Sequence, residues 1–267
     1  MTRSWAAEVD ELARTERLLV ALDFDGTLAP LGDDPMAVRA LPETAAAVRR
    51  LVALPDTTVA FVSGRQLADL RVIGEHADDS LVWLAGSHGA EHWRPSGVAV
   101  AEFEAEVERS TMADDAEHTA GADALAAEAE RALDGIAGAW IERKAYGFAL
   151  HTRLAERGDA ERAQELVDAL VAQRAPDWRR RTGKDILEYA WRHEGKDAAI
   201  ARLRGETGAT AVLFAGDDVT DEDALRSLGD GDLGVRVGEG ETAARVRVAD
   251  PSELGELLTA LAVARAS

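Results

Sequence analysis

Short, uninterrupted apolar runs recur along the chain, and each has the length and composition of a strand buried on both faces. They lie at 18–22, 57–62, 81–85 and 211–215, and two short late strands that also contain Arg are predicted at 233–237 and 244–248. Segments with helical periodicity alternate with them, at 5–17, 43–53, 196–204 and 252–264. Strands that alternate with helices form a parallel sheet covered by helices. The pattern therefore predicts an α/β fold with a Rossmann-like, doubly wound parallel sheet.

This alternation stops between residues 102 and 189. Helical patterns occupy 102–109, 123–134 and 159–173, a strand pair occupies 140–152, and one strand occupies 184–190. Such a mixture of extended pieces and helices is typical of a small α+β domain. We predict a discontinuous core formed by 1–101 and 190–267, with an α+β cap domain inserted at 102–189.

The charge balance restricts the classes of partner. The 267 residues include 30 Lys and Arg against 50 Asp and Glu, which gives a net charge of −20. Nucleic acid and anionic membranes would repel such a chain at long range, so neither is expected as a partner. No run of 18 apolar residues occurs, and the first twenty residues carry four acids, so neither a membrane span nor a secretory signal is expected. Together with the absence of cysteine, this predicts a cytoplasmic protein.

Two carboxylates follow the first buried strand, at Asp23 and Asp25. Residues two apart in an extended chain point the same way, so both face one crevice at the sheet edge where such folds bind ligands. One carboxylate can attack an electrophile, while the other protonates the leaving group and then activates water. The alternative is an ordinary turn, since Asp and the following Gly26 are common turn residues.

Ser63 and Arg65 follow the second buried strand, and Lys196 begins the helix before the fourth. A hydroxyl and an ammonium at these places can bind phosphoryl oxygens. Ser63 could equally cap a helix, and Lys196 could be an ordinary surface residue. However, Lys196 is one of only three lysines, with Lys144 and Lys184, beside 27 arginines. A chain that uses Arg for nearly every cation retains Lys where Arg does not serve, which favours a role for Lys196.

Five acidic residues crowd into seven positions after the fourth strand, between Asp217 and Asp223. Such density is repulsive unless a cation offsets it, and oxygen ligands favour Mg²⁺. Asp217, nearest to the strand end, is the best candidate ligand. A solvated acidic turn at a helix start is the alternative for 221–223, because acidic residues are favourable there.

Taken together, these clusters resemble the haloacid dehalogenase superfamily, whose signature is DxDx[TV], a Ser or Thr, a Lys and an acidic loop. Further segments resemble motifs of its trehalose-6-phosphate phosphatase family: GxHGxE at 86–91, IExK at 141–144, HxR at 151–153, GKxxxE at 183–188 and GDDxTDEDA at 216–224. Thr152 and Leu225 replace the aromatic residue and the Phe that are usual in that family. The resemblance covers about 18–258.

The resemblance implies Mg²⁺-dependent hydrolysis of trehalose 6-phosphate in trehalose biosynthesis. Asp23 would attack the phosphate and form an aspartyl-phosphate, and Asp25 would serve as acid and then base. Ser63 and Lys196 would hold the phosphoryl oxygens. Mg²⁺ would be held by Asp23, the Asp25 carbonyl and Asp217.

Further roles follow from the same resemblance. Asp218 or Asp221 would orient the waters of the metal. The implied substrate contacts are Thr27, Arg65, His88, Glu91, Glu142, Lys144, Lys184 and Glu188. A trehalose-6-phosphate synthase is a candidate partner.

The two remaining lysines each have a glutamate at an even offset, Glu142 with Lys144 and Glu188 with Lys184. On a strand, each pair would face one side. Mixed Glu and Lys pairs donate and accept hydrogen bonds, as sugar hydroxyls require. The alternative is a set of ordinary ion pairs on a solvated sheet.

Two other functions stay open at this stage. A related enzyme could act on sucrose, glucosylglycerol or mannosylglycerate phosphates, and would differ in what the cap recognises. A non-catalytic sugar-phosphate sensor would keep the cap but could lose the acids. Because Asp23, Asp25, Lys196 and Asp217 are all present, an active enzyme is favoured.

Overall fold

The computed structural model describes residues 5–32, 34–96, 118–183, 185–193 and 195–267. The chain divides into two compact units, here called the core unit (Met1–Val98 with Glu194–Ser267) and the cap unit (Ala99–His193). The sequence-based boundaries, 101/102 and 189/190, lie a few residues from these limits. Within the described residues, the helices lack the length and apolarity needed to span a bilayer.

The strands are β1 (Leu18–Leu22), β2 (Thr57–Val62), β3 (Trp83–Gly86), β4 (Glu91–Trp93), β5 (Trp140–Lys144), β6 (Gly147–His151), β7 (Arg179–Gly183), β8 (Ile186–Ala190), β9 (Ala211–Gly216), β10 (Leu233–Val237) and β11 (Val246–Val248). The helices are α1 (Ala6–Leu12), α2 (Pro42–Val52), α3 (Leu67–Ile73), α4 (described over 118–132), α5 (Arg157–Arg174), α6 (Lys196–Thr207), α7 (Glu222–Ser227) and α8 (Pro251–Arg265). Short 3₁₀ turns occupy Ser87–Gly89 and Val219–Asp221.

The core unit is organised around a seven-stranded sheet in the order β11-β10-β9-β1-β2-β3-β4. The strands are parallel except β4, which pairs with β3 in antiparallel fashion. All five residues of β1 are buried. Its Leu18, Val20 and Leu22 pack with α1, α2 and α8, while Leu19 and Ala21 pack on the opposite side with α6. Helices therefore cover both faces, which confirms the predicted doubly wound α/β fold.

Two elements of the core unit differ from the prediction. The helix predicted over 5–17 ends at Leu12, because Trp5, Val9 and Leu12 are its last buried apolar positions before β1. β4 was not predicted, since it has only three residues and no apolar run. It adds an antiparallel edge to an otherwise parallel sheet.

The cap unit contains a four-stranded antiparallel sheet in the order β5-β6-β8-β7. One face of this sheet packs against α4 and α5 through Phe148, Leu150, Leu187 and Tyr189. β7 was missed in the sequence because Arg179–Gly183 contains no apolar residue. The strand predicted over 184–190 starts at Ile186. The helix predicted over 102–109 lies outside the described residues.

Candidate active site

Two carboxylates and a hydroxyl meet where β1 and β9 end. Asp23 follows β1 and Asp217 follows β9, and these strands are parallel neighbours. The Thr27 hydroxyl lies 3.3 Å from Asp23 Oδ2 and 3.1 Å from Asp217 Oδ1. Thr27 is fully buried. Its hydroxyl therefore positions the two carboxylates, and the substrate contact of Thr27 stays a prediction.

Lys196 lies in the middle of this carboxylate group. Its ammonium donates to Asp23 Oδ1 at 2.6 Å and to Asp221 Oδ1 at 2.5 Å. Burial alone would lower the pKa of Lys196, but the negative charges of Asp221 and Asp23 outweigh this effect and raise it. The side chain is 3% exposed, so the alternative of a surface lysine is wrong.

The carboxylates are held in a setting that disfavours their charge. Burial raises the pKa of Asp23 well above its ordinary value, and Lys196 offsets only part of that effect. Burial, followed by the charge of Asp221, raises the pKa of Asp217 to about 6. One oxygen from each of Asp23, Asp217 and Asp221 lies within 4.8 Å of the others. A divalent cation would offset this charge, and an all-oxygen donor set of this size fits Mg²⁺.

Two glycines allow the carboxylates to approach the backbone so closely. A Cβ atom on Gly26, which has a φ of +77°, would lie 2.0 Å from Asp217 Oδ2. A Cβ atom on Gly216 would lie 2.4 Å from Asp221 Cγ. Any larger residue at either position would displace a carboxylate of the cluster.

The acidic loop after β9 is stabilised by its own side chains. Asp221 Oδ2 accepts hydrogen bonds from the backbone nitrogens of Asp217 at 3.0 Å and Asp218 at 2.9 Å. The Asp218 carboxylate caps Val219 N at 2.6 Å and belongs to an exposed residue. Asp221 and Glu222 are buried, so the alternative of a solvated helix start holds only for Asp223. Of the two residues predicted to orient metal waters, only Asp221 belongs to the buried cluster.

Arg65 binds the Asp25 carboxylate through two hydrogen bonds. Its Nε donates to Oδ2 and its Nη2 donates to Oδ1, both at 2.6 Å. Ser63 is buried, and its hydroxyl accepts a hydrogen bond from Arg65 N at 3.2 Å. Because α3 begins at Leu67 after Gln66, Ser63 does not cap that helix. β2 pairs with β1, so Ser63 and Arg65 reach the same sheet edge as Asp25.

His88 lies in a strained turn against the Ser63 loop. Ser87 and His88 both adopt positive φ, at 49° and 57°, a region that costs about 1 kcal/mol or more for such residues. A Cβ atom on Gly64 would lie 2.7 Å from His88 Nε2, so the imidazole packs directly on that glycine. The backbone nitrogen of His88 donates to Ser63 O at 2.9 Å.

Glu91 holds this turn in place. Its Oε2 accepts hydrogen bonds from Ser87 Oγ at 2.6 Å and from Leu67 N at 3.0 Å. This oxygen thereby links the turn at 87–89 to the first residue of α3. These contacts give Glu91 a structural role, and its substrate contact stays a prediction.

The second face of the cap sheet, here called the polar face, carries the predicted sugar-binding residues. One cross-strand row joins Glu142, Ala149, Glu188 and Arg181 across the four strands. Lys144 lies two residues from Glu142, and its Nζ is 2.7 Å from Glu142 Oε1. The structure therefore places Glu142, Lys144 and Glu188 on one face.

Lys184 lies outside the described residues. β7 ends at Gly183 and β8 begins at Ile186. The predicted pair of Lys184 with Glu188 therefore lies partly outside the described residues.

His151 is a further polar-face residue that the site prediction omitted, although its HxR motif was recognised. Its Nε2 lies 2.6 Å from Glu142 Oε2, and its ring stacks on Trp140 at 4.7 Å between centroids. The hydrogen bond to His151 is the main cause that lowers the pKa of Glu142, to about 2. The signal in the sequence was alternation, because His151 comes one residue after Leu150 and on a strand faces away from the apolar side.

Arg236 was also missed. It is the one charged residue of strand β10, all of whose residues are buried. Its guanidinium donates to the Asp218 carbonyl at 2.9 Å. A charged residue inside an apolar run was the available signal, because a buried charge requires partners.

Solved structures define the class of this fold and site. The C-terminal domain of Candida albicans trehalose-6-phosphate phosphatase aligns with a TM-score of 0.74 at 21% identity, over 98% of this chain and 97% of that one. A sugar phosphatase described as a haloacid dehalogenase superfamily member aligns with a TM-score of 0.54 at 14% identity, over 90% of this chain and 96% of that one. The chain thus has the haloacid dehalogenase fold.

Sequence comparison narrows the class. The family model for trehalose-phosphatase matches residues 21–252, and the chain belongs to this family. Trehalose-phosphate phosphatase of Mycolicibacterium paratuberculosis is 34% identical over 91% of this chain, which spans 61% of that relative's length. A probable trehalose-phosphate phosphatase of Sinorhizobium fredii is 31% identical over 91% of this chain and 86% of that relative. The resemblance seen in the sequence motifs is confirmed.

Proposed function

We propose that this chain is a Mg²⁺-dependent phosphatase that hydrolyses trehalose 6-phosphate to trehalose and phosphate. The observation that carries the proposal is the group formed by buried Asp23, Asp221 and Lys196 with part-buried Asp217 at the carboxyl edge of the core sheet. Membership of the trehalose-phosphatase family supports the choice of substrate. The names of the relatives support it as well.

The reaction proceeds in two displacements. Asp23 attacks phosphorus, the bond from phosphorus to the sugar oxygen breaks, and Asp25 donates a proton to that oxygen. A water molecule then attacks the phosphorus of the aspartyl-phosphate, Asp25 removes its proton, and the Asp23 carboxylate leaves. Asp23 suits the first step because Lys196 and Thr27 fix both of its oxygens.

The Asp23 and Asp217 carboxylates and the Asp25 carbonyl would hold Mg²⁺. The ion would reduce repulsion between the Asp23 carboxylate and the phosphate and neutralise developing charge. Lys196 and Ser63 bind phosphoryl oxygens, so positioning and charge stabilisation provide much of the rate enhancement.

Arg65 holds Asp25 through its two hydrogen bonds. Its planar guanidinium binds a carboxylate or a phosphate in the same two-pronged manner. The phosphate of the substrate would therefore compete with Asp25 for Arg65.

Recognition of the sugar falls to the polar face of the cap unit. Glu142, Lys144 and Glu188 supply donors and acceptors for hydroxyl groups. His151 keeps the Glu142 carboxylate charged and oriented. The cytoplasmic location and a synthase partner stay predictions.

Phosphate release from a panel of sugar phosphates tests this function. The panel contains the 6-phosphates of trehalose and glucose and the phosphates of sucrose, glucosylglycerol and mannosylglycerate, each with Mg²⁺ and with excess chelator. We expect metal-dependent release that strongly favours trehalose 6-phosphate. Preference for another sugar would retain the chemistry and contradict the cap assignment. Binding without turnover would indicate a sensor.

A further inference from the structure

A buried ion pair between Arg236 and Glu222 contacts the acidic loop after β9. Arg236 of β10 is 7% exposed and Glu222, the first residue of α7, is 4% exposed. Arg236 Nη1 lies 3.5 Å from Glu222 Oε1. Neither residue belongs to the groups to which the proposed reaction assigns a chemical step.

Each partner of this pair also holds backbone. Arg236 Nη1 donates to the Asp218 carbonyl at 2.9 Å, and Nη2 donates to the Glu239 carbonyl at 3.0 Å. Glu222 Oε2 accepts a hydrogen bond from Ala243 N at 2.9 Å. The pair therefore ties the acidic loop after β9 to the segment that follows β10.

Stability alone gives a weak reason for such a pair. Among the described residues, Arg236 Nε and Glu222 Oε1 are buried without a hydrogen-bond partner. A buried ion pair whose hydrogen bonds are incomplete is often no more stable than apolar side chains of similar size. The pair has a local effect that apolar side chains would lack, because Arg236 fixes the carbonyl group of Asp218, the residue after Asp217.

We propose that Arg236 and Glu222 are positioning residues that set the divalent-cation affinity of the site. Asp221 Oδ2 binds the backbone nitrogens of Asp217 and Asp218, so fixing the Asp218 carbonyl further restrains the backbone that carries the Asp217 carboxylate. A ligand held in place before the cation arrives binds it more tightly than one that must be ordered on binding. This inference rests on the proposed Mg²⁺ site.

Mg²⁺ titrations followed by thermal unfolding test the inference without relying on catalysis. The variants are Arg236→Met and Glu222→Gln. Arg247→Met is the matched control, because Arg247 lies opposite Arg236 on β11 and donates to the carbonyls of Gly238 and Gly240, which lie outside the acidic loop. Each protein starts in excess chelator, and the Mg²⁺ concentration for half of the maximal rise in Tm is recorded.

We expect Arg236→Met to raise that concentration at least tenfold and Glu222→Gln to raise it severalfold, with Arg247→Met within twofold of wild type. In phosphate-release assays the same shift should appear in the Mg²⁺ requirement, with KM for trehalose 6-phosphate at saturating Mg²⁺ within about twofold. If Arg236→Met does not fold, the Mg²⁺ titrations of Glu222→Gln and Arg236→Lys provide the test.

Two results would overturn the inference. A wild-type Mg²⁺ response in the folded variants, even with a lower Tm in chelator, would leave the pair a purely structural role. Absence of any Mg²⁺-dependent rise in Tm of the wild-type protein would overturn the proposed metal site as well.

Discussion

The core unit and the cap unit both present glutamate or aspartate side chains, but they treat the charge of these carboxylates in opposite ways. In the core unit, burial raises the pKa of Asp23 and raises that of Asp217 to about 6. On the polar face, His151 and Lys144 lower the pKa of Glu142 to about 2, and Glu142 stays half-buried. In the core unit, burial makes the charged carboxylates unfavourable, whereas on the polar face neighbouring side chains stabilise the charge of Glu142.

This difference in pKa indicates different roles for the two groups of carboxylates. Clustered carboxylates whose charge is disfavoured by burial attract a cation and suit a reacting group, so changes there should affect the chemical step and the stability of the metal-free protein. A carboxylate that is already paired is a fixed acceptor for a ligand hydroxyl, so its loss should weaken substrate binding. The predictions below test this division.

Asp23→Asn should have the largest effect, because Asn cannot form the aspartyl-phosphate. We expect turnover to fall by about 10⁴-fold or more. The fold should persist, since Asn retains the size of Asp and removes a buried charge. Phosphate release and Tm give the measurement, with Asp218→Asn as the exposed control. Activity close to wild type in Asp23→Asn would refute the assigned nucleophile.

Lys196→Met should come next. It leaves Asp23 and Asp221 buried without their shared cation, and breaking a buried ion pair costs about 3–5 kcal/mol. We expect kcat to fall by about 10²- to 10³-fold and the metal-free protein to be strongly destabilised. Denaturant unfolding in chelator and in Mg²⁺ separates the two effects. Unchanged stability in chelator would contradict the role of Lys196 in balancing the cluster.

Asp217→Asn should show a pH-dependent change in stability. The pKa of Asp217 in the folded chain, about 6, exceeds the ordinary value of 3.8. The folded state therefore binds more protons between about pH 4 and 6, and the free energy of unfolding falls as pH rises through that window. In chelator, the variant should gain about 2–3 kcal/mol on wild type between pH 4 and pH 7.5.

Denaturant unfolding at the two pH values measures this difference. Saturating Mg²⁺ provides the control, because the ion should stabilise wild type and reverse the order at pH 7.5. A difference between the proteins that does not change with pH would show that Asp217 is not desolvated in its charged form.

Glu142→Gln should have the smallest effect on the chemistry. We expect KM for trehalose 6-phosphate to rise about tenfold, the scale of one charge-assisted hydrogen bond, with kcat within about threefold. Arg143→Met is the matched control, because Arg143 is the next residue of β5 and pairs with Asp123 and Glu130 of α4 on the opposite face. Equal changes in the two variants would argue against sugar binding at the polar face.

Local patterns were sufficient to predict the strands that carry the site. β1, β2 and β9 begin where the apolar runs begin, because a strand buried on both faces can hardly contain a polar side chain. The positions of Asp23, Ser63 and Asp217 at strand ends followed from the same runs. Parallel strands place their carboxyl ends together, so the meeting of these residues was also predictable.

The choice of hydrogen-bond partners was not predictable. Thr27 and Glu91 have side chains that suit a substrate, but the structure engages them with Asp23 and with Ser87. Which acceptor a hydroxyl or carboxylate meets depends on contacts between residues far apart in the chain. β7 escaped prediction for another reason, because its neighbours, and not its own composition, make it a strand.

The pairing of β1 with β9 has a consequence for the biosynthesis of the protein. Leu18 lies opposite Ala211, so one edge of the first strand stays unpaired until most of the chain has left the ribosome. Pairings this distant in sequence make folding slow, and an unpaired apolar strand edge invites aggregation. The cap unit, whose strands and helices are continuous in sequence, can form its sheet earlier. The edge of the sheet that carries the candidate active site therefore forms only after β9 has been synthesised.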